Sequence, residues 1–503
     1  MATFVELRDQ LSADPHERGK QFERVCKWFL GTDPRYSNRL AKVWLWDDWP
    51  HRWGPDCGID LVAEDTEGNT WAIQAKCYDE EHVVSKSDVD KFLSESVHKL
   101  IDNRLLIATT DRLGANARRG IRQQNDVIPV SELLLRDLKT APVVWPSHPG
   151  RLTTGKPRKP QTPRPHQKKA IRDVVDNLNG RAQLIMACGT GKTLVSLRIA
   201  ERLEAKRTLV LVPSLTLLSQ TVSEWLANTH RPLAYLPVCS DETVARGADA
   251  ATMFTSDLAF PVTTDPDEIA SFLRKHGPRV VFSTYQSSPR IAQAQKANRV
   301  PAFDLVIADE AHRCAGVVAP GFGTVLNGEI RARKRLFMTA TPRTYTARAK
   351  AKAEEADIEV ASMDDTTTFG PVAHRLSFGE AIRKNLLSDY RVVVVGVDDP
   401  TYKKMVDQRR IVETDTDIKT DAKTLARHVA VAKAIRDWGL RRTITFHSRI
   451  NAAKDFANLL PRVVEWMPPR HRPDVELVCD YVSGEMSVGE RNTRLNRLRE
   501  TGD

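Results

Sequence analysis

The chain has no long run of apolar residues. Hydrophobic residues make up 41% of its 503 residues, but the longest apolar stretches fall far short of the ~20 residues that are needed to cross a bilayer. The first residues, Met1–Glu6, lack the basic segment and apolar block of a secretory signal peptide. We therefore expect a cytoplasmic protein without a membrane partner.

Cysteine is also scarce. The seven cysteines are odd in number, scattered, and include no Cys-x-x-Cys pair, so the sequence supports neither a zinc site nor a disulfide framework. Acidic residues are outnumbered, because 75 Lys and Arg stand against 65 Asp and Glu and give a net charge of +10. A basic excess favours polyanionic partners through counterion release, although many basic proteins bind no nucleic acid.

A proline-rich segment separates the first block of the chain from the rest. Residues 146–165 hold six prolines and five Lys or Arg but almost no apolar residues, so we predict an extended, solvated tether. Its charge could contact a DNA backbone, or the segment could act only as a spacer. The blocks on either side are residues 1–145 and 166–350, and a third block covers residues 351–503.

The second and third blocks both alternate apolar strands with helical patterns. This alternation predicts α/β units built on parallel sheets, whose ligands bind at the carboxyl ends of the strands. In the third block the predicted strands are Arg391–Val397 and Thr443–Phe446, with a predicted helix, Thr424–Trp438, between them.

A glycine loop joins a predicted strand to a predicted helix in the second block. Two glycines let the backbone fold around an anion, and the N–H groups of the loop and the helix start then point at phosphate oxygens. The lysine can reach the β- and γ-phosphates, and the threonine after it can ligate Mg²⁺. The loop therefore predicts an ATP and Mg²⁺ site formed by Gly189, Thr190, Gly191, Lys192 and Thr193.

Two carboxylates follow the apolar run Asp304–Ala308 of the same block. Because the run predicts a buried strand of the same sheet, Asp309 and Glu310 are expected beside the phosphate loop. Asp309 is predicted to hold Mg²⁺ through water, and Glu310 to orient or deprotonate the attacking water. His312 is predicted to contact this ATP-linked network.

These motifs, with Thr339-Ala340-Thr341, resemble those of superfamily 2 helicases and translocases. The resemblance implies that Gln167 reads adenine, although an ordinary surface amide is the alternative. It also implies that Thr339, Ala340 and Thr341 link hydrolysis to movement along the strand.

The same resemblance reaches into the third block. Phe446–Arg449, and Ser483-Gly484 followed by Arg491, look like segments of the second motor lobe. The last two motifs of the family, which include arginines that reach the γ-phosphate, do not occur before Asp503. We therefore expect an incomplete second lobe, poor ATP hydrolysis by this chain alone, and a longer parent protein.

The first block contains a second candidate site. Gly68-Asn69 predicts the turn of a hairpin, and the two-residue period of the following strand places Gln74 and Lys76 on one face. Asp60 can approach this face across the hairpin. The three side chains suit Mg²⁺-dependent phosphodiester cleavage, with Asp60 and Gln74 as metal ligands and Lys76 steadying or deprotonating the water.

This pattern resembles the PD-(D/E)xK nuclease fold and, more narrowly, its Mrr-like branch, in which Gln often replaces the acidic residue before the lysine. The resemblance implies that Glu23, on an upstream helix, assists the metal site; a solvated helix face is the alternative for this residue. Because Gln74 carries no charge, the site could cut DNA or only bind it.

The order of nuclease, basic linker and two-lobed motor resembles ATP-dependent restriction enzymes, and most narrowly the single-chain Type ISP group. The resemblance implies a restriction-endonuclease-like α/β domain followed by two RecA-like lobes, the second incomplete. It further implies cleavage and translocation of double-stranded DNA, with a methyltransferase and a target-recognition domain in a longer parent. The alternatives are a DNA helicase or remodeller whose nuclease-like domain is inactive and only binds DNA, and an RNA helicase.

Overall fold

The computed structural model describes residues 2–55, 57–124, 127–240, 254–296, 299–317, 323–348, 360–390, 411–413, 419–484, 486 and 488–500. The chain divides into two compact units, Met1–Ser388 and Asp389–Asp503. None of the helices within the described ranges combines the length and the apolar character that a bilayer crossing requires.

A five-stranded mixed sheet opens the first unit, with the strand order β1-β2-β3-β4-β5. The β1–β2 and β2–β3 pairs are antiparallel, whereas the β3–β4 and β4–β5 pairs are parallel. The strands are Leu40–Leu45 (β1), Leu61–Asp65 (β2), Thr70–Lys76 (β3), Asn103–Ala108 (β4) and Val130–Leu133 (β5).

Helices cover both faces of this sheet. Helix α2 begins at Pro15 behind the N-cap Asp14, whose side chain accepts a hydrogen bond from the backbone N–H of Glu17 at 2.9 Å. Its buried stripe packs on one face, and α4 and α5 pack on the other. The helices are Phe4–Arg8 (α1), Pro15–Thr32 (α2), Pro34–Ser37 (α3), Lys86–Glu95 (α4), Ala115–Arg122 (α5) and Leu135–Thr140 (α6).

The proline-rich segment 146–165 is largely exposed, as predicted for a solvated tether, but part of it is paired. Strands Val143–Val144 (β6) and Lys156–Pro157 (β7) pair antiparallel, with a 3-10 turn over Pro149–Thr154 between them. Further along, the backbone N–H of Gln161 donates to Asn228 Oδ1 at 2.8 Å. The segment is ordered because its backbone groups find partners on the elements that flank it.

The second sheet of the first unit is parallel throughout, with the strand order β10-β11-β9-β12-β14-β8-β16. A short antiparallel pair, Gly316–Val317 (β13) and Val360–Ala361 (β15), lies outside it. The strands of the sheet are Arg181–Met186 (β8), Arg207–Val212 (β9), Ala234–Val238 (β10), Arg279–Thr284 (β11), Phe303–Ala308 (β12), Ala332–Thr339 (β14) and Val372–Leu376 (β16).

Helices connect these parallel strands, as a sheet of this kind requires. The alternation of strand and helix that the sequence predicted for this block is confirmed. The helices are Pro165–Asn177 (α7), Lys192–Arg202 (α8), Leu215–Asn228 (α9), Pro266–Arg274 (α10), Ser288–Ala294 (α11), Thr366–Phe369 and Phe378–Arg383.

The first unit continues past residue 350, where the sequence favoured a boundary. Strand β16 pairs with β8 as the last strand of the seven-stranded sheet. The Gln183 side chain, which is 1% exposed, donates to the carbonyls of Met363 at 2.9 Å and Gly370 at 2.8 Å. These bonds tie residues 360–388 to the ATPase sheet.

The second unit has its own small apolar core. The predicted helix Thr424–Trp438 lies within the observed helix Ala422–Trp438, which packs on Ile450–Trp466. The other elements are an antiparallel pair, Ile411–Glu413 and Lys419–Asp421, a 3-10 turn, Pro469–His471, and a helix, Val488–Glu500.

One strand that was predicted for this unit does not form. Residues 443–446 have no regular structure, and Ile444 and Phe446 are 60% and 95% exposed. A strand needs a hydrogen-bonded neighbour, and no strand in the described residues pairs with this segment. The other predicted strand, Arg391–Val397, lies outside the described residues, so a second RecA-like lobe remains a prediction.

Candidate nuclease and ATPase sites

The β2–β3 hairpin positions the first candidate site. Leu61 is paired with Ile73, so one further step of the register sets Asp60 opposite Gln74. The backbone N–H of Asp60 donates to the carbonyl of Ile73 at 2.9 Å, and its carboxylate accepts from the N–H of Ala75 at 2.7 Å. Asp60 is therefore held against β3, as the sequence predicted for a hairpin.

Gln74 offers an unused acceptor at this position. Its side chain is 1% exposed, and its Nε2 donates to the carbonyl of Gly58 at 3.2 Å. The Oε1 atom is buried and has no hydrogen-bond partner in the part of the chain that is described. A buried acceptor without a partner costs roughly 1–3 kcal/mol, and a bound cation would remove this cost. The amide therefore fits the predicted role of metal ligand.

Glu23 lies close enough to Asp60 for their charges to interact. Burial first, and the charge of Asp60 second, raise the pKa of Glu23 to about 7. The side chain is half-buried, so the alternative of a solvated helix face does not describe it. Glu23 therefore lies within electrostatic range of Asp60.

Lys76 is the last residue of β3 and is half-buried. The two-residue period of the strand puts it on the same face as Gln74. Among the described residues, no group of three or more His, Cys, Asp and Glu side chains is arranged to hold a metal ion. A metal at this site would therefore rest on carboxylate and amide oxygens supplemented by water, which is a ligand set that Mg²⁺ accepts.

The phosphate loop has the backbone geometry that anion binding requires. Gly189 and Gly191 have φ angles of +79° and +84°, which disfavour any residue with a Cβ atom. Helix α8 begins at Lys192 directly after the loop. The Nζ atom of Lys192 donates to the carbonyl of Met186 at 3.3 Å, and Thr190 Oγ1 donates to the carbonyl of Ala187 at 2.7 Å.

Gln167 is buried beside this loop, with 6% of its side chain exposed, so the surface-amide alternative is wrong. Its Oε1 accepts from the N–H of Arg164 at 2.8 Å, and its Nε2 donates to the carbonyl of Thr190 at 3.1 Å. His166 Nε2 lies 3.1 Å from the same carbonyl. No role was predicted for His166, because one histidine beside a motif has no distinguishing spacing.

Asp309 and Glu310 follow the end of β12. Burial, and then the charge of Glu310, raise the pKa of Asp309 to about 6. The backbone N–H of Glu310 donates to Asp309 Oδ1 at 2.9 Å. Glu310 has a φ angle of +49°, which is uncommon for a residue other than glycine and typical of functional sites.

His312 connects this acidic pair to the next strand end. Its Nδ1 lies 3.3 Å from Glu310 Oε2 and 2.9 Å from Thr339 Oγ1. The hydrogen bond from His312 holds the pKa of Glu310 below its usual value. The backbone N–H of Thr341 donates to Thr339 Oγ1 at 3.1 Å, so the segment Thr339-Ala340-Thr341 touches the acidic pair through one histidine.

Two contacts at the ATPase site were not anticipated from the sequence. The Glu224 side chain of α9 hydrogen-bonds to Thr193, and burial raises the pKa of this carboxyl group. The hydroxyl of Tyr285 donates to the carbonyl of Asp309 at 2.7 Å. Both residues belong to ordinary helical and strand-end patterns, which carry no signal of such contacts.

Comparisons with known proteins also separate the first unit into a nuclease part and an ATPase part. Residues 31–151 match a family model described as a restriction endonuclease, of the Mrr type. Residues 161–344 match the model of the Type III restriction enzyme res subunit. The chain therefore combines a restriction endonuclease domain with a helicase domain, as the two groups of motifs predicted.

One solved structure and one viral protein are similar to larger parts of the chain. The ATP-dependent Type ISP restriction-modification enzyme LlaBIII bound to DNA matches with a TM-score of 0.75 and 27% identity, over 100% of this chain and 33% of that protein. The probable helicase A859L of African swine fever virus (isolate Tick/Malawi/Lil 20-1/1983) is 31% identical over 219 residues. The match covers 43% of this chain and 22% of the viral protein. The predicted resemblance to the Type ISP group is confirmed at the level of the fold.

Proposed function

We propose that this chain carries out the nuclease and motor steps of ATP-dependent DNA restriction. The N-terminal domain would cleave double-stranded DNA with the help of Mg²⁺, and the ATPase lobe would drive translocation along the duplex. The observation that carries the proposal is the buried, unpartnered Gln74 Oε1 next to Asp60, within a unit that also holds a complete phosphate loop. The match to LlaBIII supports DNA as the substrate, because that enzyme was solved bound to DNA.

At the nuclease site, Asp60 and Gln74 would hold the metal, which supplies an activated water and neutralises charge on the phosphate. Lys76 would steady or deprotonate that water. Glu23, whose charge interacts with that of Asp60, would assist the metal site.

At the ATPase site, the loop Gly189–Thr193 would bind the phosphates and Gln167 the adenine. Thr193 and Asp309 would hold Mg²⁺, and Glu310 would orient the attacking water. His312 would pass changes at Glu310 to Thr339, Ala340 and Thr341 through the contacts described above.

Separate substitutions at the two sites test the proposal in the full-length protein. Asp60→Ala and Lys76→Ala should lower DNA cleavage about 100-fold or more and leave DNA-stimulated ATP hydrolysis within a factor of about two. Lys192→Ala should abolish both activities. Glu64→Ala is the matched control, because Glu64 is an exposed carboxylate on the same hairpin. Unchanged cleavage by Asp60→Ala would remove the nuclease role.

A second function is favoured by one feature, the absence of charge on Gln74. A helicase or remodeller with a nuclease-like domain that only binds DNA would retain this hairpin, and the viral relative is described as a probable helicase. In that case Lys76→Ala would weaken DNA binding, and no variant of the hairpin would alter the cleavage of DNA. Comparing stimulation of ATP hydrolysis by duplex DNA and by RNA separates both functions from an RNA helicase.

This chain spans 33% of LlaBIII and 22% of the viral relative. We further propose that a methyltransferase and a target-recognition domain accompany it in the full-length protein. Sequencing the complete reading frame tests this proposal, and a frame without them would contradict it.

A further inference from the structure

The hairpin that carries the candidate nuclease site is fastened to the ATPase lobe by its turn. The carboxylate of Glu67, in the turn between β2 and β3, forms an ion pair with Lys275 and a second one with Arg279, whose Nη1 lies 3.2 Å from Glu67 Oε1. Arg279 is 8% exposed, and its guanidinium carbon lies 4.7 Å from the ring centre of Phe272. We call Glu67, Lys275 and Arg279 the hairpin clamp.

Hydrogen bonds within the turn connect Glu67 to β3, so a shift of Glu67 would also shift that strand. Asp65 is 2% exposed, and its Oδ1 accepts from the backbone N–H groups of Glu67 at 3.0 Å and Asn69 at 2.8 Å. Its Oδ2 accepts from Trp71 Nε1 at 3.2 Å. Trp71 belongs to β3, the strand that also carries Gln74 and Lys76.

The element that carries Glu23 is attached to the same lobe. Helix α2 runs into the short helix α3, where the Tyr36 hydroxyl donates to the carbonyl of Ala259 at 2.5 Å. In return, the Tyr235 hydroxyl of β10 donates to the carbonyl of Arg35 at 2.7 Å. Both elements with candidate nuclease residues therefore touch the ATPase lobe through polar contacts.

On the lobe side, the clamp lies at one end of a strand whose other end reaches the ATP site. Arg279 is the first residue of β11, which ends at Thr284. The next residue, Tyr285, donates its hydroxyl hydrogen bond to the carbonyl of Asp309 at 2.7 Å. One strand of the seven-stranded sheet thus joins the clamp to the acidic pair of the phosphate site.

At the turn, the contact between the two domains is made by these ion pairs, which are directional and charge-assisted. A cavity of about 160 Å³ lies between the two domains beside the clamp, and Arg39, Glu67, Tyr235 and Lys275 are among the residues that line it. The strands behind the turn are held in the nuclease sheet by β1 and β4, so the clamp acts on the hairpin from its turn.

We propose that Glu67 is a positioning residue for DNA cleavage: through the hairpin clamp, the ATPase lobe holds the Asp60–Gln74 hairpin in the orientation that cleavage requires. This inference rests on the proposed nuclease function. It assigns to Glu67 an effect on cutting rather than on ATP hydrolysis, because the clamp contacts the nuclease hairpin directly and reaches the phosphate site only across the length of β11.

Charge variants of Glu67 in the full-length protein test this inference. Glu67→Lys should slow DNA cleavage by about tenfold or more, since small misplacements of catalytic groups are costly, and Glu67→Gln should have a smaller effect in the same direction. DNA-stimulated ATP hydrolysis should stay within a factor of about two of the wild-type rate. Glu64→Lys, on the exposed side of the same hairpin, is the matched control and should cleave normally.

A rescue experiment distinguishes a positioning role of Glu67 from a general loss of stability. Combining Glu67→Lys with Lys275→Glu restores an opposite charge at one of the two partners of position 67, while Arg279 keeps its positive charge, and should recover part of the lost cleavage rate. The inference is overturned if Glu67→Lys cleaves like the wild type, if ATP hydrolysis falls in parallel with cleavage, or if the paired change recovers nothing. Asp60→Ala is measured in the same assay. Unchanged cleavage by Asp60→Ala would contradict the proposed function. Lost cleavage by Asp60→Ala together with normal cleavage by Glu67→Lys would contradict only the role of the clamp.

Discussion

Neighbouring carboxylates are close together at both candidate sites. Burial raises the pKa of Glu23 to about 7 and that of Asp309 to about 6, and in each case a second carboxylate, Asp60 or Glu310, adds to the rise. Buried acidic pairs of this kind repel each other unless a proton or a cation intervenes. Perturbed acids in clefts are candidates for functional sites on physical grounds.

The raised pKa of Glu23 predicts how stability depends on pH without metal. The folded protein binds this proton more tightly than the unfolded chain, whose pKa is near 4.5. The stabilising contribution is therefore complete below pH 4.5 and is lost as the pH rises to about 7. Glu23→Gln should remove this loss, so its Tm should exceed that of the wild type by about 2–4 °C at pH 8 and match it near pH 4.5.

The measurement is thermal unfolding from pH 4.5 to 8 in the presence of a chelator. Asp60→Asn is the matched control: it removes the second cause of the shift, so the wild-type decline should move to lower pH. Parallel Tm profiles for Glu23→Gln and the wild type would contradict the raised pKa of Glu23, and an unmoved decline in Asp60→Asn would contradict its interaction with Asp60.

At the scale of elements, the sequence was sufficient to predict a turn or loop where the residues that determine its backbone conformation lie within the turn or loop itself. The Gly68-Asn69 turn and the positive φ angles of Gly189 and Gly191 are such cases, and both were predictable. The interaction between Glu23 and Asp60 was reached only through family resemblance, because the two residues lie 37 positions apart. The Glu67 clamp spans 208 residues to Lys275, and no local pattern indicates a partner at such a distance.

Strand prediction failed where pairing decides the outcome. Residues 443–446 have an apolar strand-like pattern, yet without a neighbour in the described residues they are not a strand. Conversely, β16 was missed, although it completes the ATPase sheet beside β8. Its five residues include exposed Val372 and Arg375, so the sequence lacks the continuous apolar run that reveals the inner strands.

The Gly191 position gives a prediction about the phosphate loop. A Cβ atom there would meet Gln167 Nε2 at 2.2 Å, in addition to the strain of a φ angle of +84°. Gly191→Ala should therefore displace Gln167 and weaken ATP binding by about tenfold or more, as measured by titration with a fluorescent ATP analogue.

Gly180→Ala separates strain from displacement. Gly180 has a similar φ angle of +78°, and a Cβ atom there would meet nothing within 4 Å. Both variants should lose roughly 1–2 kcal/mol of stability from the left-handed backbone. Only Gly191→Ala should bind the ATP analogue poorly, and equal binding by the two variants would argue against a role for Gln167.

At the scale of the whole molecule, the nuclease domain and the ATPase lobe form one unit that ends at Ser388. The matched helicase model ends at residue 344, and the sequence favoured a boundary at 350. Residues 360–388 nevertheless supply the sheet edge and the carbonyl partners of Gln183. His374 Nδ1, in β16, also lies 2.8 Å from Asp173 Oδ2 of α7.

Two fragments distinguish these boundaries. A fragment of residues 1–388 should fold with one cooperative transition and bind the ATP analogue. A fragment of residues 1–350 leaves the buried amide of Gln183 without its partners and exposes the edge of β8, which favours aggregation. Its Tm should fall by about 10 °C or more, or the fragment should precipitate. Equal Tm values and equal ATP-analogue binding by the two fragments would mean that β16 is dispensable, and the ATPase unit would then end where the family model does.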